Sequence, residues 1–327
     1  MISIIIPMYN RASLVGETLD SIVAQTYTDW ECIVVDDRST DDSVAVVQKY
    51  VDRDPRFKLM VRPEDRIKGA PTCRNIGCEN SKGDIVYFFD SDDILSPEFF
   101  EAVTKVSDEH PEAEFFYAEL DSFCGDYTSK KYKPHDRPPY PGTPFDNLCS
   151  FRARPSTQRL IWRRRLLEST GINWKEGLLK AQDGDFTFRV LSETENEGTW
   201  IPGPPMIHYR RHHAQMLTSA NSGDKAIAIA DYVENSFRKL VGRRNLTPER
   251  QFRYLKGSIK FMFVTALVFD CRRATKQYHG FMCAATSNKR LIGCVWILRK
   301  IAPLLYMSRP LTYLLRRATF IKRKIKS

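Results

Sequence analysis

Across residues 1–118, short apolar runs alternate with helical stripes, and no other feature of the chain restricts its fold as much. Runs at 2–6, 32–35, 57–61, 85–89 and 115–118 read as strands, and the segments between them read as helices, the pattern of a parallel sheet covered by helices. Leu14, Leu19, Ile22 and Val23 make one helical stripe, and Val44, Val47 and Val51 make another. Asp41 and Asp42 fall in the first turn of the second helix, where the macrodipole favours them. Ser96 followed by Pro97 predicts an N-cap and a first helical position, with Phe100, Val103 and Val106 facing inward. Open α/β sheets bind ligands outside the carboxyl ends of their strands. The polar segments 7–11, 36–42, 62–68 and 90–93 all fall there.

The chain has 327 residues, 42% of them hydrophobic, enough for one large α/β domain and an appendage. Its eight cysteines match neither a zinc spacing nor a short disulfide framework, and reduced thiols in the cytosol are expected. Residues 2–6 are too short, and lack a preceding basic residue, for a signal peptide. The best apolar stretch, 261–269, is bounded by Lys260 and Asp270 and falls short of the roughly 18 residues of a membrane span. Residues 121–158 are rich in Pro, Tyr and charge and predict a long surface loop without regular structure. Helical patterns return at 159–169 and 183–192 and dominate from 224 onward. The net charge of +10 is lopsided, because residues 243–327 carry 20 Lys or Arg against two acids, Glu249 and Asp270.

Phe-Phe-Asp-Ser-Asp-Asp, ending the fourth apolar run, is the central chemical signal. Asp90, Asp92 and Asp93 repel one another, so a hard divalent cation with oxygen ligands is one natural partner. A solvated acidic turn before the next helix is the other reading.

With its neighbours the motif resembles the family 2 glycosyltransferases, inverting enzymes with the GT-A nucleotide-sugar-binding fold. The resemblance covers roughly residues 1–220. It rests on Ser-Ile-Ile-Ile-Pro-Met-Tyr-Asn at 3–10, Val-Val-Asp-Asp-Arg-Ser-Thr-Asp-Asp at 34–42 and Gly-Ala-Pro-Thr-Cys-Arg-Asn-Ile-Gly at 69–77. It also rests on Phe-Asp-Ser-Asp-Asp at 89–93 and on 183–190 followed by Tyr-Arg-Arg-His at 209–212. The implied fold is α/β, a mixed, mainly parallel sheet flanked by helices. Residues 1–220 would form the catalytic domain, 1–118 its nucleotide-sugar half and 119–220 its acceptor half, and 221–327 a basic helical extension.

By that resemblance Pro7, Tyr9 and Asn10 wrap the donor's nucleoside, and the pair Asp36 and Asp37 recognises the base, unless the pair only caps the following helix. Asp37 is favoured, since a carboxylate accepting from a ring N–H is directional. Asp93 would bind Mn²⁺ or Mg²⁺, with Asp92 near the ribose or sharing the ion. Arg74 matches the family's Arg-Asn pair near the phosphates, and His212 aligns with a position that contacts metal or pyrophosphate when it is not structural. Asp183 aligns with the catalytic base, with Asp185 the alternative, and Gln182 stands where the family usually has Glu. A nucleotide-diphosphate sugar, by family weight a UDP-sugar, is the implied donor, and a glycan or lipid-linked molecule the implied acceptor. Cell-surface polysaccharide or lipopolysaccharide synthesis is the commonest setting of such a chain.

The tail combines Phe261, Met262, Phe263, Val264, Leu267, Val268 and Phe269, then Leu291, Ile292, Val295, Trp296, Ile297, Leu298, Leu304, Leu305 and Tyr306, with Lys and Arg. Such helices lie in a membrane interface, so the enzyme is expected on the anionic cytoplasmic face of the plasma membrane, as a peripheral protein. Packing of these residues on the catalytic domain or on a partner subunit is the alternative. Nucleic-acid binding through the tail has no recognised motif and is opposed by the acidic remainder. A dinucleotide-dependent oxidoreductase would need a Gly-rich loop after the first strand, where this chain has Pro-Met-Tyr-Asn-Arg. A non-catalytic membrane-, sugar- or nucleic-acid-binding protein is the remaining class. Asp92, Asp93 and Asp183 speak against a decayed site.

Overall fold

The structure, a computed structural model, describes residues 1–125, 127, 133–134, 142–153, 155–178, 181–211, 222–244, 246–266 and 272–307. The chain divides into two compact units, Met1–Leu148 with Ala153–Met216, and Cys149–Arg152 with Leu217–Ser327.

The first unit begins with β1 (Ile2–Met8), α1 (Val15–Val23), β2 (Trp30–Asp36), α2 (Ser43–Val51), β3 (Phe57–Val61), α3 (Ala70–Glu79) and β4 (Ile85–Phe88). It continues through β5 (Ile94–Leu95), α4 (Phe99–Glu109), β6 (Phe115–Tyr117), β7 (Leu120–Phe123), β8 (Lys133–Pro134) and α5 (Pro144–Cys149). A 3-10 turn at Thr157–Arg159 leads into β9 (Leu160–Arg163), α6 (Arg164–Thr170), α7 (Gln182–Leu191), β10 (Thr199–Trp200) and β11 (Ile207–Arg210). A seven-stranded sheet runs in the order β10-β6-β9-β4-β1-β2-β3, and β9 alone in it pairs antiparallel, with β4 and β6. The expected mixed, mainly parallel sheet is the one observed.

Every residue of β1 and β2 is buried, because helices cover both faces of the sheet. On one face Ile4 and Ile6 join Leu19, Ile22, Phe99, Phe100, Val103 and Val106. On the other, one residue out of step, Ile33 and Val35 meet Cys73 and Ile76 of α3. Gly77 sits at the tightest approach of α3 to the sheet, where a Cβ would lie 2.3 Å from Ile5 Cγ2. Each fully buried side chain of this kind contributes roughly 1.5–3 kcal/mol. The result is a stiff platform under the strand ends.

Several sequence expectations are corrected. The described part of 121–158 is not structureless, since β8 and α5 fall within it and β7 and the 3-10 turn overlap its ends. The helix expected from 159 starts only at Arg164, after β9. Helix α4 begins at Phe99 with Glu98 at its cap, and the Ser96 hydroxyl instead lies 2.9 Å from His208 Nε2. His208 Nδ1 is 2.7 Å from Asp121 Oδ1, so one buried imidazole ties together the second sheet, ordered β5-β11-β7-β8. The described cysteines are free thiols, and burial pushes Cys73 up to about 12.

The second unit contains α8 (Ser222–Leu240), α9 (Pro248–Ala266), α10 (Arg272–Ala285) and α11 (Lys289–Met307). Phe237 packs its ring against Tyr254 and Phe281, and the hydroxyls of Ser258 and Tyr278 are 2.6 Å apart. Met262, Leu291, Val295 and Leu298 are buried, whereas Phe252, Phe263, Trp296 and Ile297 are exposed, the last two at 51% and 53%. Leu267, Val268 and Phe269 lie outside the described residues, as do the side chains of Val264, Leu304, Leu305 and Tyr306. Among the described residues no helix is long and apolar enough to cross a membrane.

Candidate active site

The site is assembled at the carboxyl ends of β1, β2 and β4. After β1, Asn10 adopts a left-handed backbone (φ 50°), which Asn tolerates better than most residues. Its Oδ1 accepts from the Thr40 N–H at 2.8 Å and its own N–H donates to Ser39 Oγ at 2.9 Å, fastening the first loop to the second. Pro7 is in register with Val35. Tyr9 presents an exposed ring with Lys68 Nζ 3.7 Å from its centroid.

Asp36 and Asp37 have different environments. The Asp36 carboxylate closes its own turn, accepting from the Ser39 N–H at 3.0 Å and from the Ser39 hydroxyl. Asp37 is paired with Arg62, both buried, and Arg62 also donates to the carbonyl oxygen of Pro63 at 2.9 Å. Arg62, the first residue of the polar segment after β3, is thus the residue that orients Asp37.

At the end of β4 the three acids differ in access. Asp93 has 0% exposure, with Oδ1 accepting from the Arg210 N–H at 2.8 Å and Oδ2 from Gln158 Nε2 at 2.9 Å. Asp92 is partly exposed and accepts from Arg11 Nε at 3.2 Å. Asp90, also partly exposed, accepts from Arg74 Nη2 at 2.9 Å and from Gln158. Burial pushes Asp90 up to about 6, with Asp92 and Asp183 repelling its charge against the attraction of Arg74. Burial, then Asp92 and Asp90, hold Asp93 well above the ordinary carboxylate range against the Arg210 N–H and Gln158.

Arg74, expected near phosphate, is 4% exposed. Its guanidinium lies 4.5 Å from the Trp174 ring centroid, donates to Asp90 and approaches Gln182 Oε1 at 3.5 Å. Trp174 in turn stacks on Phe186 of α7, centroids 4.1 Å apart. Arg74 therefore links the acidic strand end to α7.

Asp183 and Asp185 both occupy the first turn of α7, where a carboxylate is favoured. Asp185 is engaged by Arg189 of its own helix at 2.7 Å. Asp183 turns the other way, its Oδ2 accepting from the Thr157 N–H at 3.2 Å, and its charge is felt by Asp90. His212 lies outside the described residues. Two positions earlier in sequence, Arg210 donates from its N–H to Asp93, from Nε to the Asp92 carbonyl at 2.9 Å and from Nη2 to Glu17 at 2.7 Å. Gln158 and Arg210 were not singled out from sequence. Gln158 is one of four consecutive polar residues, Ser156 to Arg159, in a segment without periodicity, and Arg210 is one of two adjacent arginines before His212 with nothing in sequence to distinguish it.

Among the described residues no three His, Cys, Asp or Glu side chains converge as a ready cage for a metal ion. The donor set suits one all the same. Mg²⁺ and its analogues at phosphate sites take one or two carboxylates and fill the shell with water and phosphate oxygens. Asp90 and Asp92 would offer hard oxygen ligands, and the mutual repulsion of the cluster is what a cation relieves.

Residues 3–167 match the family described as Glycosyl transferase family 2. The chain is 39% identical over 303 residues to an uncharacterized glycosyltransferase of Haemophilus influenzae, covering 91% of this chain and 95% of that protein. It is 28% identical over 191 residues to the poly(ribitol-phosphate) beta-N-acetylglucosaminyltransferase TarS of Staphylococcus aureus, covering 58% of this chain and 32% of TarS. The crystal structure of TarS 1–349 with UDP-GlcNAc superposes with a TM-score of 0.60 at 18% identity, covering 93% of this chain and 91% of that one. A mannosyltransferase of Pyrobaculum calidifontis, solved with GDP-Man and Mn²⁺, gives a TM-score of 0.53 at 19% identity, covering 99% and 86%. The shared architecture is that of the GT-A glycosyltransferases.

Proposed function

Because the chain belongs to glycosyl transferase family 2, we propose that it moves a sugar from a nucleoside-diphosphate donor, a UDP-sugar, to a glycan or lipid-linked acceptor, with inversion at the anomeric carbon. The observation that carries this reading is the convergence of Asp90, held at a strand's carboxyl end by Gln158, and Asp183, held at the start of α7 by the adjacent Thr157 N–H, with Asp92 near enough to repel Asp90.

Pro7, Tyr9 and Asn10 would line the nucleoside, and Asp37, oriented by Arg62, would accept from the N–H of the base. The enclosure of Asp93 favours Asp92 with Asp90 as the ligands of Mn²⁺ or Mg²⁺, and Asp93 as the anchor behind them. When bound, the ion supplies positive charge where the departing diphosphate becomes more negative. Asp183 takes the proton of the acceptor hydroxyl as that oxygen attacks. Asp36 holds the loop after β2 in shape, and Arg74 keeps Asp90 and α7 in fixed relation. His212 remains a candidate contact to metal or pyrophosphate. The exposed aromatic and basic faces of α9 and α11 suit an anionic cytoplasmic membrane surface, beside lipid-linked acceptors of polysaccharide synthesis.

Thermal unfolding with UDP and GDP, each with and without Mn²⁺, tests the central claim. TarS, crystallised with UDP-GlcNAc, motivates trying UDP first. At 100 times its dissociation constant a bound nucleotide stabilises the fold by ~2.7 kcal/mol. UDP should raise Tm more with Mn²⁺ than without. If neither nucleotide raises Tm in the presence of Mn²⁺, the proposal fails.

A further inference from the structure

We infer that the turn centred on Gln158 holds the donor and acceptor halves of the site in register, making Gln158 and the Thr157 N–H positioning groups; the inference rests on the function proposed above. Gln158 is 3% exposed, and its one amide nitrogen donates to both Asp90 Oδ2 and Asp93 Oδ2, the latter at 2.9 Å. An amide NH₂ has two hydrogens and no charge, so it can satisfy two carboxylates without competing with a cation for their negative charge. Lys or Arg here would neutralise the cluster.

The orientation of that amide is fixed from its other end. Gln158 Oε1 accepts from the Ser156 hydroxyl, which directs the nitrogen toward the acids, and the Gln158 carbonyl accepts from Tyr87 OH of β4 at 2.9 Å. The preceding residue reaches the other half of the site, where the Thr157 N–H holds Asp183 Oδ2 at 3.2 Å. The carboxylates of the donor side and the acceptor-side acid are thus gripped by consecutive residues, whose Cα atoms are roughly 3.8 Å apart across one rigid peptide. Partners 26, 65 and 68 residues away in sequence meet on that peptide.

Two variants separate the two grips. Gln158→Met keeps length and volume but cannot donate. The buried Asp93 oxygen and the part-buried Asp90 oxygen lose the donor that aims them, and UDP binding in Mn²⁺, measured calorimetrically, should weaken by about tenfold or more. UDP binding without metal should stay close to that of the unsubstituted chain. Thr157→Pro removes the N–H along with the hydroxyl, and Ser156 already has the extended backbone (φ −90°, ψ 137°) that suits a residue before proline. Thr157→Ala, which keeps the N–H, is its control. Proline should cost kcat about tenfold more than alanine, with little change in the affinity for UDP and Mn²⁺, and should move the acid limb of the kcat profile to higher pH. Equal UDP affinity of Gln158→Met and the unsubstituted chain in Mn²⁺, or equal kcat for proline and alanine at 157, would overturn the inference. Failure of the unsubstituted chain to bind UDP with Mn²⁺ would instead overturn the function on which it rests.

Discussion

Two acids stand in the first turn of α7 and serve different neighbours, which gives the assignment of the base a direct test. Asp183 faces the Thr157 N–H and the Asp90 charge, whereas Asp185 is held by Arg189 one turn further along the same helix. Asp183→Asn keeps the shape but cannot accept a proton, so kcat should fall about 10²–10⁴-fold, with a much smaller change in the donor KM. Asp185→Asn loses an i,i+4 pair worth roughly 0.3–0.5 kcal/mol and should leave kcat near its starting value. A kcat loss that follows residue 185 rather than 183 would reverse the assignment. From sequence the acids of this site were legible as residue types at strand and helix ends. Their order of access was not: nothing in Asp-Ser-Asp-Asp reveals that Asp93 is enclosed by Arg210 and Gln158, because both partners are distant in sequence. Asp37 and Arg62 make the same point, since the buried partner of the base-reading candidate stands 25 residues away in sequence.

At the scale of elements, α3 shows why some parts of the fold were readable and others hidden. Strands β1, β2 and β4 are buried on both faces and declare themselves as continuous apolar runs. Helix α3 is also buried nearly all round from Pro71 to Gly77, so it lacks the polar face that makes a helical stripe visible, and Thr72, Arg74 and Asn75 interrupt the apolar signal. Strand β9 was mistaken for helix because a run of only four residues, Leu160–Arg163, fits either period and continues directly into α6. The packing of α3 gives a prediction that opposes helix propensity. In an exposed helix interior Gly→Ala gains about 1 kcal/mol. At Gly77 the new methyl would meet Ile5 Cγ2 at 2.3 Å and Ile5 Cβ at 3.3 Å, both close to the main chain and unable to swing aside. Gly77→Ala should therefore destabilise the fold by roughly 1–3 kcal/mol in urea titration, the cost typical of overpacking. Adding Ile5→Ala should reveal a favourable coupling of about 0.5–3 kcal/mol, because the second change removes the group the first one hits. Additive effects would mean that the helix approaches the sheet elsewhere.

For the whole molecule, the charge division sets the behaviour expected of the second unit. From residue 243 to the end there are 20 Lys or Arg and two acids, while the remainder is net acidic, so a binding surface for anions belongs to the helical part. Exposed positions of α9 combine aromatic and basic groups, Phe252, Lys256, Lys260 and Phe263, at spacings that keep them on one side of a helix. In α11, Lys289, Trp296, Ile297 and Lys300 do the same, with Lys300 Nζ 5.6 Å from the Trp296 ring centroid. On the membrane association proposed above, such a face would meet the boundary between headgroups and acyl chains, the aromatics entering it and the cations meeting anionic lipid. The apolar residues that the sequence alone would have sent there are divided by the structure: Met262, Leu291, Val295 and Leu298 are buried, and substituting them would report on stability. The exposed set should report on membrane binding. In flotation with vesicles containing phosphatidylserine, Lys289→Glu with Lys300→Glu removes two cations worth ~1 kcal/mol each at the surface, before the cost of the added negative charge. Partitioning should then fall by a factor of at least about 30, since 1.4 kcal/mol is tenfold. Trp296→Ser with Ile297→Ser should weaken binding with little change in its salt dependence, whereas the charge variants should flatten that dependence. Binding of the unsubstituted chain to zwitterionic and anionic vesicles with equal strength would contradict the electrostatic part of this argument. No binding to either would assign the exposed faces of α9 and α11 to another partner.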